Sequence, residues 1–163
     1  MNHIIRAYTE HDLAEMMGIW NEIVETGVAF PQMERLTSTE AVKFFGEQSF
    51  TGVAAHPDTG EILGLYILHP NNIGRCGHIS NASYAVKSAA RGQKIGGKLV
   101  EHSMRRAKEL GFQILQFNAV VRTNHSAIHL YETLGFIRLG VIPHGFLMKD
   151  GTFEDIFIFY RTL

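Results

Sequence analysis

The chain has 163 residues, 45% of them apolar and 19% charged, with a formal net charge of -1. That composition is ordinary for a globular protein and excludes a disordered or coiled-coil one, a chain of that size can bury roughly 70% of the surface its unfolded form exposes, and its near-neutral charge leaves no cationic excess to neutralise a nucleic-acid backbone. A single cysteine, Cys76, excludes an internal disulfide or a multi-thiolate metal cage; no run approaches the roughly 18 apolar residues of a membrane span and the start Met-Asn-His-Ile-Ile-Arg is neither signal peptide nor anchor, so one domain over residues 1–163, in the cytoplasm and off the membrane, is expected.

Ile4 to Tyr8 reads as a short strand. Leu13, Met16, Met17, Trp20, Ile23 and Val24 then recur at helical spacing, which predicts an amphipathic helix. A shorter helix, Thr39 to Glu47, starts at a cap near Thr37 or Ser38. Thr51 to Ala55 and Ile62 to His69 flank Pro57-Asp58-Thr59-Gly60, a set of turn residues, so they form a hairpin. Ile62 to Leu68 is apolar at nearly every position and reads as a central strand covered on both faces.

His78 to Val86 is the next strand. A helix follows from about Lys94 to Leu110, with Ile95, Leu99, Ser103, Ala107 and Leu110 on one face. Gln113 to Val121 is a strand, and the helix after Thr123-Asn124 turns Ala127, Leu130, Tyr131 and Leu134 inward. Both helices close on a repeated pattern, Glu109-Leu110-Gly111-Phe112 and Thr133-Leu134-Gly135-Phe136, in which glycine supplies the left-handed residue and Phe folds back on the last turn. Phe136 to Met148 and Phe153 to Tyr160 are joined at Asp150-Gly151, a hairpin signal. The element order predicts a mixed α/β (α+β) domain, mostly antiparallel, with a parallel pair around the third helix.

The stretch richest in chemistry is Arg91-Gly92-Gln93-Lys94-Ile95-Gly96-Gly97-Lys98-Leu99, which follows a strand and opens a helix. A helix's first turn carries unpaired N–H groups and a partial positive charge, so it attracts phosphate oxygens. Glycines let phosphate approach that backbone, and Arg91, Lys94 and Lys98 add cations. The Gly-Lys-Ser/Thr ending of a P-loop is absent. The position past mid-chain does not suit a dinucleotide fingerprint. A glycine-bearing loop before an ordinary helix is the competing reading.

Arg91-Gly92-Gln93-Lys94-Ile95-Gly96 resembles the pyrophosphate loop, Q/R-x-x-G-x-G/A, of the GNAT superfamily of acetyl-CoA-dependent N-acetyltransferases, with Lys94 in place of the first glycine. Val86 matches the apolar end of that family's fourth strand, and Asn124-x-x-Ala127-x-x-x-Tyr131-x-x-x-Gly135-Phe136 matches its second signature. The resemblance implies a seven-stranded, mostly antiparallel sheet flanked by four helices, with strands 4 and 5 splayed apart. Acetyl-CoA is then the cosubstrate. Its pantetheine arm would lie along Ala85 and Val86, and its pyrophosphate over Arg91, Gly92, Gln93, Lys94, Ile95, Gly96 and Gly97. Asn124 would contact the cofactor arm, although an N-cap role explains it as well.

The same resemblance makes Tyr131 the general acid that protonates the departing thiolate. Its spacing is also that of a core aromatic on the helix stripe. No carboxylate lies in His78 to Val86, so the base would be a water held by Asn81 or His78, or the amine would arrive neutral. The segments His69 to Val86 and Phe117 to Asn124 are similar to the fungal N-acetyltransferases of proline analogues such as azetidine-2-carboxylate and to their bacterial relatives. By that resemblance Asn81, Asn118 and Asn124 border the acceptor, and paired amides suit a small amino acid. Asn118, in mid-strand, is expected to be buried and in need of partners, or else satisfied at a bulge.

The expectation is therefore an acetyltransferase for the primary or secondary amine of a small molecule. Acetylation of a protein or peptide N-terminus, or a CoA-binding module without catalysis, are the alternatives. No metal is expected: His125 and His129 have zincin spacing but lack its glutamate and a third ligand. His102, Arg105 and Arg106 read as a solvated helix face, Cys76 as inert, and the apolar final hairpin, with Phe153, Phe157 and Phe159, as a homodimer surface.

Overall fold

Seven strands and four α-helices alternate along the chain: β1 (Ile4–Ala7), α1 (Leu13–Thr26), α2 (Ser38–Gly46), β2 (Phe50–Ala55), β3 (Ile62–Pro70), β4 (Ile79–Val86), α3 (Ile95–Glu109), β5 (Ile114–Val121), α4 (His125–Thr133), β6 (Ile137–Leu147) and β7 (Phe153–Thr162). This computed structural model describes residues 2–163. The strands form one sheet in the order β1-β2-β3-β4-β5-β7-β6. Every neighbouring pair is antiparallel except β4–β5, the two strands joined by the α3 crossover.

β3 is covered on both sides, as its unbroken apolar run requires. Leu65 and Ile67 pack with α1 and α2 around Met16, Trp20 and Phe45. Tyr66 and Leu68 pack with α3 around Leu99, Leu115 and Phe159. α2 starts at a capping box: Thr37 accepts from the Glu40 amide while the Glu40 carboxylate accepts from the Thr37 amide at 2.8 Å. Among the described residues no helix is long and apolar enough to cross a membrane.

One glycine sets how closely α3 approaches the sheet. A Cβ at Gly64 would stand 3.0 Å from the Ala85 carbonyl and 3.2 Å from both Ile95 and Leu99. Gly64 thereby lets the first turn of α3 settle against β3 and β4, which brings the loop before it to the end of β4.

The repeated helix endings form as the sequence predicts. The Phe112 amide donates to Ala107 and that of Phe136 to Tyr131, at 3.0 and 2.9 Å, with Gly111 and Gly135 at positive φ. Leu110 departs from its expected place on the buried face, because α3 ends before it and the turn carries Phe112 inward instead; Leu110 stays exposed and Val100 joins the core. The final hairpin also differs from expectation. β7 lies between β5 and β6, so Phe157 and Phe159 are buried. The exposed apolar residues are Phe153 and, on the edge strand β6, Ile137, Leu139, Val141, Ile142 and Leu147.

Candidate functional site

The parallel ladder between β4 and β5 has three rungs, Ile79–Ile114, Ser80–Leu115 and Asn81–Gln116. On its other side β4 stays paired to β3 as far as Val86. Beyond Asn81 the two parallel strands part, and a cleft of about 190 Å³ opens between them. Asn81 to Tyr84 and Phe117 to Val121 line it, with Asn124, Ala127 and Tyr131 from α4 and Ala29, Phe30 and Pro31 from the loop after α1. Asn81 sits at the fork, where its side chain donates to the Gln116 carbonyl at 2.8 Å.

Asn118 lines the same cleft but is exposed rather than buried. The β5–β7 register slips between Phe117 and Val120, and this bulge takes Asn118 out of the ladder. Its partners are other amides: Oδ1 accepts from Gln116 Nε2 at 3.0 Å and Nδ2 donates to Asn71 Oδ1 at 2.6 Å. Asn71, 47 positions away in the β3–β4 connection, went unnoticed in the sequence. No periodicity or motif marks a loop residue whose only signal is a contact made by folding.

Five residues past β4, the chain enters the glycine-bearing loop through the 3-10 turn Ser88–Ala90. Residues 91–94 are exposed, Gly92 has φ +83° and Lys94, the N-cap of α3, has φ +60°. Lys94 thus takes the left-handed conformation that glycine favours, at a steric cost of roughly 1–2 kcal/mol. The first turn of α3 carries no acidic residue, so nothing in it neutralises the helix's positive end. A Cβ on Gly92 would meet no atom within 4 Å, and one on Gly96 or Gly97 would make only ordinary contacts, with Leu130 at 3.7 and 3.5 Å and, from Gly96, with Val86 at 4.0 Å. The backbone here is open to a ligand's phosphates, as a pyrophosphate site requires. Gln93 is tied to the chain's beginning, its Oε1 lying 3.2 Å from His3 Nε2.

Tyr131 stands in an aromatic cage. Its ring centroid is 4.4 Å from Phe117, 5.7 Å from Phe136 and 5.9 Å from Phe159. Burial pushes its phenol above the ordinary range, so it stays protonated well past neutrality. Both readings of its spacing therefore meet, since the ring packs in the core while the residue borders the cleft. Tyr84 also borders the cleft, and its hydroxyl is committed: it donates to Ser103 Oγ at 2.7 Å, which itself donates to the Val100 carbonyl at 2.7 Å. Asn124 caps α4, its side chain accepting from the Ala127 amide, and lines the cleft as well.

A larger, open groove of about 770 Å³ lies next to the cleft. The loop after α1 forms one wall and the β6–β7 turn the other, and Phe30 and Pro31 line both spaces. Both walls are fixed. Buried Asn21 clamps Leu36 through two hydrogen bonds of 3.0 and 2.7 Å, the Phe30 ring packs tilted against Trp20 with centroids 4.4 Å apart, and Lys149 of the turn donates its amide to the Gly27 carbonyl at 3.0 Å.

The described residues contain no group of three or more His, Cys, Asp or Glu that could hold a metal ion. His102 is not on a solvated face: its Nδ1 is hydrogen-bonded to the hydroxyl of the wholly buried Tyr66 at 2.8 Å, and Arg106 lies over Phe50. Burial first, then Arg105 and Arg106, hold its ring below the ordinary histidine range.

Comparison with known proteins fits this geometry. Residues 13–136 match the model of the acetyltransferase (GNAT) family. The chain is 32% identical over 155 residues to the N-acetyltransferase aca1 of Schizosaccharomyces pombe, covering 85% of this chain and 74% of that one. A GCN5-related N-acetyltransferase from Kribbella flavida superposes with a TM-score of 0.91 at 31% identity, over 99% of this chain and 98% of that one. A phosphinothricin acetyltransferase from Sinorhizobium meliloti, solved in complex with AcCoA, shares the fold with a TM-score of 0.92 at 23% identity, over 100% and 89%. The chain belongs to the GNAT family of acetyltransferases.

Proposed function

We propose that this protein transfers the acetyl group of acetyl-CoA to the amine of a small molecule, with an amino acid or proline analogue as the favoured acceptor, by direct attack in a ternary complex. The observation that carries the reading is the fork at Asn81, which frees the edge of β4 from Ala82 to Val86 for an extended ligand and points it toward the open loop at residues 91–97. The Ala85 and Val86 backbone pairs with the pantetheine arm, and the amides of the loop and first turn of α3, with Arg91 and Lys94, hold the pyrophosphate.

The amine's lone pair attacks the thioester carbon, the C–S bond breaks, and Tyr131 gives its proton to the sulfur as the thiolate departs. The amine's surplus proton passes to a water that Asn81 orients, and Tyr131 regains its own from solvent. Burial keeps the Tyr131 phenol in the protonated form that an acid must have, and the residue borders the cleft where the thiolate departs. Asn81 and Asn118 hold the acceptor. An amide both donates to a carboxylate and accepts from an amine, and the bonds to Gln116 and Asn71 fix which way the Asn118 amide faces.

The 770 Å³ groove favours a second acceptor class, a peptide N-terminus, since it meets the cleft at Phe30 and Pro31 and exceeds what a single amino acid fills. Isothermal titration with acetyl-CoA, paired with thiol release over amino acids, proline analogues and short peptides, tests both. Turnover of the small amines supports the first reading and turnover of peptides alone the second. Binding without turnover on any amine, in wild type and Tyr131→Phe alike, leaves a CoA-binding module. The apolar edge strand β6 is the surface proposed for a homodimer, which light scattering of wild type against Leu139→Lys tests.

A further inference from the structure

We infer that His3 is a positioning residue for acetyl-CoA, acting through Gln93. The inference rests on the reading of residues 91–97 as the pyrophosphate site. Gln93 lies between two residues at positive φ, Gly92 at +83° and Lys94 at +60°. Lys94 pays a steric cost there, and such a conformation persists only where neighbours over-determine it. All four residues from Arg91 to Lys94 are exposed, so packing does not hold the turn. The Gln93 side chain reaches 90 positions back to His3, Oε1 to Nε2 at 3.2 Å.

His3 is 7% exposed, and β1 starts at the next residue, paired to β2 from Ile4–Ala55 onward. The imidazole is therefore a fixed post to which the exposed loop is tied. Because Oε1 only accepts, Nε2 is the donor. Nδ1 is buried without a hydrogen-bond partner among the described residues. A buried polar atom left unmatched calls for a compensating role. Here the ring's other nitrogen supplies one, holding the Gln93 backbone, and with it the strained Lys94 amide, in place before the pyrophosphate arrives. A preorganised loop binds more tightly because less freedom is lost on binding.

The test compares wild type, His3→Ala, His3→Gln and Gln93→Ala with two donors, acetyl-CoA and S-acetylpantetheine, which lacks the pyrophosphate. His3→Ala should raise KM for acetyl-CoA about tenfold, the worth of one hydrogen bond, with kcat at saturation unchanged. His3→Gln, which keeps a side-chain N–H donor, should recover most of the loss. Gln93→Ala breaks the same contact from the exposed side without disturbing the buried ring, so it should match His3→Ala, and the double variant should be no worse than either. Activity of the two His3 variants with S-acetylpantetheine should not change. Equal losses with both donors, or additive effects of the two alanine variants, would overturn the inference. Unchanged CoA affinity in Gly96→Glu would instead remove the loop assignment beneath it.

Discussion

The Asn81 side chain donates to the carbonyl of Gln116 at 2.8 Å on the last rung of the parallel ladder, and the cleft begins one residue further on. One amide thus ends the pairing of β4 and β5 and borders the space that the separation creates. An apolar residue here would leave the Gln116 carbonyl without this donor, and a β-branched one would favour continued strand.

Asn81→Ala is expected to cost about 1 kcal/mol of stability, the typical worth of one hydrogen bond. Loss of the oriented water should also lower kcat by roughly 10–100-fold, toward the lower end of what acid–base assistance provides. Urea melts and steady-state rates at saturating acetyl-CoA check the two parts. A kcat equal to wild type would take Asn81 out of the proton path and leave it a structural clamp.

Tyr131→Phe should lower kcat by roughly 10²–10⁴-fold if proton transfer limits the rate, and leave acetyl-CoA affinity nearly unchanged. Tyr84→Phe is the control, because that hydroxyl already donates to Ser103 and has no proton to spare for the cleft. A similar loss in both variants would point to packing of the aromatic cage rather than to acid catalysis.

The sign of the alkaline response follows from burial. Burial raises the phenols of Tyr131, Tyr84 and Tyr66 in the folded chain, while an unfolded tyrosine titrates near pH 10. Stability from these groups is fully present below about pH 10 and falls above it, as the unfolded chain sheds protons that the folded one retains. Over the same range kcat should show no alkaline fall owed to Tyr131. Denaturation midpoints between pH 8 and 11 check the first statement. Tyr131→Phe should flatten part of that decline.

The fold was legible because its signals are local. The helical stripe from Leu13 to Val24, the apolar run of β3 and the two Gly-Phe helix endings each depend on a few neighbouring residues. What escaped depends on distance in sequence. Asn118 leaves the ladder because β7 slips a register against β5. His102 looks solvated until Tyr66 of a distant strand hydrogen-bonds to it. Phe157 and Phe159 look like a surface until the chain order places β7 inside the sheet. In the candidate site the loop and α4 signatures were readable as motifs, whereas Asn71 and the Phe30–Pro31 wall enter only through folding.

Gly96 separates space from charge. A Cβ there would lie 3.7 Å from Leu130, an ordinary contact, so Gly96→Ala should fold and melt like wild type. Gly96→Glu should fold too, yet bind acetyl-CoA far more weakly, because its carboxylate faces the pyrophosphate at the helix's positive end. Calorimetric titration of both variants measures the difference. Equal affinities would place the diphosphate elsewhere.

Lys94 is the departure from the family's loop pattern, and its backbone takes the conformation that glycine adopts freely, φ +60° and ψ +20°. Two variants divide its roles. Lys94→Gly removes both the strain and the ammonium, while Lys94→Ala removes the ammonium and keeps the strain. Relief of a left-handed residue, less the extra freedom glycine has when unfolded, should make Lys94→Gly more stable than Lys94→Ala by about 1 kcal/mol. If the ammonium contacts a phosphate, both variants lose acetyl-CoA affinity, and the loss shrinks as salt is added, because added ions screen an exposed charge pair. If the backbone alone serves, affinity at high and low salt stays at the wild-type value in Lys94→Gly. Melting temperatures and titrations at two ionic strengths distinguish these outcomes.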